Sequence, residues 1–262
     1  MAKVRQIETE VTNNSKGRKK MVNDPRKKID TLLTHIKTGK VEPDKAWGSI
    51  HELKDEYIEV LGKIYHNKNL EQSWHTFIGR KFQDVIYSII KGYLRKLKSQ
   101  DPEFKNFDVL KENEIKKSDI IFRKLAVKYG EYLLLPDTDM AIVKFADPDP
   151  WNSEIIAIIS CKTSLRERIA QACYWKLKLV SSDVTKSIKV FLATADNDED
   201  FVIKSRRRES FNGKSRDRII SEYELDGVYI LRENFSVEWE SNRVKRYEKL
   251  FEDLLNLFKK CA

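Results

Sequence analysis

The sequence predicts an α/β protein, with a mixed sheet flanked by helices and a helical N-terminal region. Three observations carry this. Residues 25 to 97 place apolar side chains at helical spacing. Two β-branched-rich apolar runs, Met140 to Phe145 and Glu154 to Ile159, are separated by the turn-forming Asp147-Pro148-Asp149-Pro150. Further short apolar runs then alternate with helical segments, which lays helices against a sheet.

Residues 1–24 are polar and basic and read as a flexible arm. Residues 25–100 form the helical region. Ile29, Leu32, Leu33 and Ile36 share a face, Thr38-Gly39-Lys40 breaks the period, and Pro43-Asp44 opens the next helix. That helix runs on through Ala46, Ile50, Leu53, Tyr57, Val60, Leu61 and Ile64. After a loop at 66–69, Trp74, Phe77, Ile78, Phe82, Val85, Ile86, Ile89 and Ile90 mark a longer amphipathic helix.

Residues 101–262 form the expected core. Ser118-Asp119 caps a short helix reaching Val127, and Glu131 to Leu135 reads as a strand. The two apolar runs form an antiparallel hairpin. A helix is expected from Arg166 to Lys178, buried strands at 188–193 and 228–231, and a C-terminal amphipathic helix from Val237 to Lys260. Tyr174-Trp175 is expected to pack on the sheet. Lys204 to Arg218 reads as a cationic, Gly-containing loop. Its Arg206, Arg207, Arg208, Lys214 and Arg216 suit phosphate contacts, which position a duplex without reading it.

The 262 residues are 40% apolar and 35% charged, with a formal net charge of +9. The chain is therefore globular, and its basic balance favours a polyanion partner. Cys161, Cys173 and Cys261 form no C-x-x-C pair, which argues against a disulfide framework or structural zinc and fits a reducing cytoplasm. The polar, lysine-rich N-terminus shows no apolar h-region and no run of about 18 apolar residues occurs, so neither secretion nor membrane spanning is expected. His35, His51, His66 and His75 lack metal-ligand spacing.

The hairpin carries the chemistry. Its first strand opens at Pro136-Asp137-Thr138-Asp139 and its second ends at Ser160-Cys161-Lys162. The turn sets position 139 opposite about 160, so an aspartate and Lys162 lie side by side. Asp137, Asp139, Ala141 and Val143 would share one face, as would Ile156, Ile158, Ser160 and Lys162. Magnesium needs only one or two carboxylates because it keeps several waters. A lysine beside it can orient water or offset charge on a phosphate. Asp139 directly precedes its strand and is favoured over Asp137 as the metal ligand. The Cys161 backbone carbonyl is a further candidate.

This pattern resembles the PD-(D/E)xK nucleases, with Ser160 standing where an acid is usual. The segment S-C-K-T-S-L-R-E-R-I-A-Q is similar to the type II restriction endonucleases that cut CCGG-containing sites. The resemblance implies a Mg2+-dependent double-stranded DNA endonuclease acting on a palindrome as a homodimer or higher oligomer, alongside a cognate DNA methyltransferase. It implies that Arg166, Glu167 and Arg168 read bases. Arginine forks onto guanine, and a carboxylate accepts from cytosine N4. The family's glutamate on the following helix is missing, and Gln171 is the nearest polar residue. For the family's upstream-helix acid the candidates are Gln83, Asp84 and Glu71. A less specific nuclease of the same fold, or a DNA-binding protein without turnover, remains an alternative. The helices of residues 25–97 or the C-terminal helix are the expected interface.

Overall fold

The computed structural model describes residues 24–63, 69–165, 168–205 and 211–261. The basic arm up to residue 23, His66, Arg166, Glu167, Arg206, Arg207 and Arg208 lie outside the described residues.

Helix α1 (Pro25–Lys37) begins at Asp24, whose carboxylate accepts from the Arg26 N–H. It ends before Gly39, whose φ of 70° is a left-handed conformation suited to glycine. The single helix expected from Pro43 onward is two, α2 (Pro43–Glu52) and α3 (Lys54–Gly62), bent at Leu53. The bend lets Trp47 meet Phe82 at 4.8 Å and Tyr57 meet Trp74 at 5.1 Å, both on α4 (Leu70–Gln100).

Strand β1 (Phe107–Lys111) precedes helices α5 (Glu112–Lys117) and α6 (Asp119–Leu125). Ser118 caps α6. Strands β2 (Val127–Tyr129) and β3 (Tyr132–Leu134) form a separate hairpin. The remaining elements are β4 (Met140–Lys144), β5 (Glu154–Lys162), α7 (Arg168–Val180), β6 (Lys189–Thr194), α8 (Arg216–Glu224), β7 (Gly227–Ile230), β8 (Val244–Arg246) and α9 (Lys249–Cys261).

The main sheet has the order β1-β4-β5-β6-β7-β8. β4 runs antiparallel to its two neighbours β1 and β5, and β5 to β8 run parallel. One face carries an apolar cluster shared with α1–α4 and α9, including Phe82, Ile86, Ile142, Ile159 and Phe258. The other packs Ala141, Val143, Ile158 and Val190 against α5, α6 and α7. Both faces are covered, as a parallel sheet requires. The expected fold class of a mixed sheet flanked by helices, with an N-terminal helical region, is the observed one.

Several local readings need correction. The expected C-terminal helix from Val237 starts only at Lys249. Its first part is a short 3-10 turn at Val237–Trp239 followed by β8, which pairs with β7. Val244 and Tyr247 happen to fall in phase with the helix that follows. The cationic stretch 204–218 ends in α8, capped by Ser215, and Arg218 is buried there. β5 reaches Lys162 rather than stopping at Ile159. A β-bulge lies in the β4–β5 pair, where Ile142 faces Ala157 but Val143 faces Ile155. Ile156 is the extra residue and joins Ala157 on the α4 side, away from Ile158. The expected common face of Ile156 and Ile158 is therefore broken.

Candidate active site

The carboxyl ends of β5, β6 and β7 and the start of β4 share one edge of the sheet. Lys162 ends β5 and pairs with Thr194 of β6. Asp139 precedes β4, and its N–H donates to the Ile159 carbonyl at 3.1 Å. This register brings both aspartates to the lysine. Lys162 Nζ lies 3.2 Å from Asp137 Oδ2 and 3.4 Å from Asp139 Oδ2.

Asp139 is the more constrained of the two. Its Oδ2 accepts from the Cys161 N–H at 2.6 Å, and its Oδ1 accepts from Gln83 Nε2 of α4 at 2.6 Å. Asp137 is more exposed, and its backbone carbonyl is held by Ser160 Oγ at 2.9 Å. Ser160, in the place of an acid, thus braces the turn that carries Asp137.

The electrostatics follow from burial. Burial pushes the Asp139 carboxyl up, against the pull of Lys162 and the Cys161 N–H, and the nearby Asp137 adds to the rise. Burial alone would lower the Lys162 ammonium, but Asp139 and Asp137 outweigh it and hold the ammonium above its ordinary range. Lys162 is therefore a fixed cation. It can offset negative charge on a phosphate or orient a water, but it is a poor proton acceptor near neutral pH.

Among the described residues, no three His, Cys, Asp or Glu side chains form a ready-made metal cage. Asp137 and Asp139 supply two carboxylates. The N–H and C=O of one strand residue point to the same side, so the Cys161 carbonyl points to the β4 side of β5, as its N–H does. This oxygen-only set fits a hard, water-retaining divalent cation and would not suit zinc.

The structure brings some further candidates here and not others. Gln83, Asp84 and Asp139 line a cleft of about 210 Å³ with Lys111, Glu112 and Asn113. Asp84 is held by Lys111 at 2.6 Å. Lys111 was not singled out from sequence, because it ends the unassigned β1. Glu71 pairs with Lys54 at 2.9 Å, and roughly 18 Å of helix separates it from Gln83. Gln171 is exposed on α7 and, among the described residues, makes no hydrogen bond to Asp137, Asp139 or Lys162. Arg168 heads α7 and is exposed. Lys214 is paired with Glu222 at 2.5 Å, whereas Arg216 is exposed on the first turn of α8.

Comparison with known proteins bears on this geometry. Residues 109–253 match the family model described as "BsaWI restriction endonuclease type 2". That span runs from β1 to α9 and contains the whole Asp137–Asp139–Lys162 cluster. The chain is also 44% identical over 193 residues to "Putative type II restriction enzyme MjaVIP" of Methanocaldococcus jannaschii, covering 72% of this chain and 78% of that protein. The chain belongs to the type II restriction endonucleases. A second relative, "Probable type II restriction enzyme HpyAORF263P" of Helicobacter pylori, is 36% identical over 157 residues, covering 60% of this chain and 77% of that protein.

As a type II restriction endonuclease the chain is a site-specific deoxyribonuclease that binds double-stranded DNA, and its family works with a divalent metal. The readings as a less specific nuclease or a binding protein without turnover are set aside. No described helix is long and apolar enough to cross a membrane.

Proposed function

We propose that this restriction endonuclease hydrolyses both strands of a palindrome with a CCGG core, using magnesium and water. The observation that carries the chemistry is the convergence of Asp137 and Asp139 on Lys162 at the sheet edge. The spacing of Arg166-Glu167-Arg168 behind that lysine carries the target. Asp139, Asp137 and the Cys161 carbonyl would hold the ion. When bound, magnesium supplies positive charge at the phosphate and makes a water more acidic.

The chain's own residues do the rest. Lys162 offsets the charge that develops as water adds to phosphorus and one bridging P–O bond breaks. Gln83 and the Cys161 N–H fix the Asp139 carboxylate, so little reorganisation accompanies the reaction. Arg168 at the start of α7, with its sequence neighbours Arg166 and Glu167, would read base edges, and exposed Arg216 would meet backbone phosphate. Gln171 could act only by supporting that surface.

Incubation with magnesium and a plasmid of known sequence tests this. Discrete fragments whose ends map to CCGG-containing sites are expected. Discrete fragments ending elsewhere would sink the CCGG reading while leaving the chemistry intact. Lys162→Ala should lower the cleavage rate by about 10²-fold or more while specific binding in calcium is kept. Undiminished cleavage by that variant would remove Lys162 from the chemistry.

A further inference from the structure

One face of α4 joins the helical region to the active site. From the cap residue Asn69, the positions Gln72, Ser73, Thr76, Arg80 and Gln83 recur three and four residues apart and so share that face. Gln83 is its last member and donates to Asp139 at 2.6 Å. Beyond Gln83 the same face carries Ile90 and Leu94, both buried. The polar stretch therefore starts at the Asp139 carboxylate and runs about 21 Å away from it along the helix.

Its chemistry is uniform. It holds amides, hydroxyls and one arginine, and neither acid of α4 belongs to it. Those acids, Glu71 and Asp84, are engaged by Lys54 and Lys111. Asn69 caps the helix through its amide oxygen, which leaves its amide hydrogens as donors. Arg80 is exposed, and among the described residues its guanidinium has neither a hydrogen-bond acceptor nor an ion-pair partner. Asn69, Gln72, Ser73, Thr76 and Arg80 line a hollow of about 470 Å³ between α1, α3 and α4. Arginine, amide and hydroxyl groups are the side chains that hold DNA phosphates, and a carboxylate, which would repel them, is missing from this set.

Gly79 adjoins Arg80 in this stretch. A methyl group there would meet nothing within 4 Å, and alanine favours a helix interior over glycine. The packing of this chain therefore does not call for glycine at 79. Gly48 and Gly92 are equally open, but only Gly79 lies between Thr76 and the unpaired Arg80. A bare backbone suits the close approach of another backbone.

We propose that this face of α4 seats the sugar–phosphate backbone of the duplex beside the scissile phosphate. Arg80 is a positioning residue on a neighbouring phosphate, and Gly79 is the point of closest approach. This rests on the reading of Asp137, Asp139 and Lys162 as the cutting centre. Arg80 begins about 4.5 Å along the helix from Gln83, between one and two nucleotide rises of about 3.4 Å. A phosphate within two nucleotides of the cut is therefore the one it meets. Holding that phosphate sets the strand in register while Lys162 meets the scissile one.

Binding in calcium to the duplex that the wild-type enzyme cuts, measured over a range of salt, tests this. Arg80→Ala should weaken binding about tenfold or more and reduce the slope of log K against log salt by about 0.9. Arg80→Lys, which keeps the charge, should recover the slope. Duplexes carrying one uncharged methylphosphonate locate the contact. The wild type should lose affinity when a phosphate within two nucleotides of the cut is neutralised, and Arg80→Ala should be indifferent to that same change. Gly79→Ala should raise the melting temperature by about 2–4 °C yet weaken binding, and Gly79→Leu should weaken it further. Gly92→Ala should stabilise the fold to a similar degree and bind as the wild type does. A wild-type salt slope in Arg80→Ala, coupling to no phosphate within two nucleotides of the cut, or undiminished binding by both Gly79 variants would overturn the proposal. The two readings fail separately. Undiminished cleavage by Lys162→Ala removes the cutting centre whatever Arg80 does, and a wild-type slope in Arg80→Ala removes this seat whatever Lys162 does.

Discussion

Asp139 is held where an ionised carboxylate is least comfortable. Burial pushes its carboxyl up, and Asp137 adds to the rise, so the charged form is less favoured in the fold than in the unfolded chain. The sign follows from linkage. Its contribution to stability is greatest below the ordinary carboxylate range and is lost as pH rises through the folded value. Asp139→Asn should therefore melt at or above the wild-type temperature at pH 8 without metal, yet lose cleavage. A clearly lower melting temperature would show instead that the Lys162 contact outweighs burial. On the proposed reading of bases, Arg168→Ala should weaken binding to the cognate duplex by about 1–3 kcal/mol while leaving affinity for unrelated DNA nearly unchanged. Titration of both duplexes at one salt concentration separates the two.

At the scale of elements, the hairpin of β4 and β5 was legible in the sequence. Its two β-branched runs flank a proline-rich turn, and the pairing of Met140 with Ile159 agrees with the expected placing of position 139 opposite about 160. β1 and β8 were not legible. Each is three to five residues long with charged side chains interleaved, and neighbouring strands rather than local pattern define them. The misread start of α8 has a similar cause. Its charges suggested a solvated loop, yet Arg218 is fully buried. The guanidinium donates to the Phe201 and Trp239 carbonyls and pairs with Glu222 at 3.0 Å. One side chain thereby ties α8 to two loops. Arg218→Ala leaves the Phe201 and Trp239 carbonyls without that donor and Glu222 with Lys214 alone, and should cost about 1–3 kcal/mol or more in urea unfolding. A loss under 1 kcal/mol would mean the loops hold without it.

The whole molecule combines a net charge of +9 with an active-site edge whose acids are few and largely engaged. Duplex binding should draw on several phosphate contacts, and log K against log salt should fall with a slope of about −0.9 per phosphate neutralised. A slope near zero would show that the excess charge lies off the DNA path. The site was legible to the extent that one hairpin builds it. Asp137, Asp139 and Lys162 are near in sequence, so local pattern finds them. Gln83 is one of three upstream candidates and Lys111 is not among them; they arrive from α4 and β1, and only the packing of α4 on the sheet shows which polar groups reach the cleft.

The bulge at Ile156 separates the β4–β5 hairpin into two independently phased halves. Beyond it, Ala157 to Lys162 keep strict alternation with β4. Before it, Ile155 and Glu154 follow a phase of their own. A residue gained or lost in the turn at 145–153 can be absorbed on the turn side of that offset, leaving Lys162 facing Asp139. The turn is therefore the part of the hairpin whose length can change without moving Lys162 from Asp139, whereas a residue gained or lost between Ala157 and Lys162 would move it.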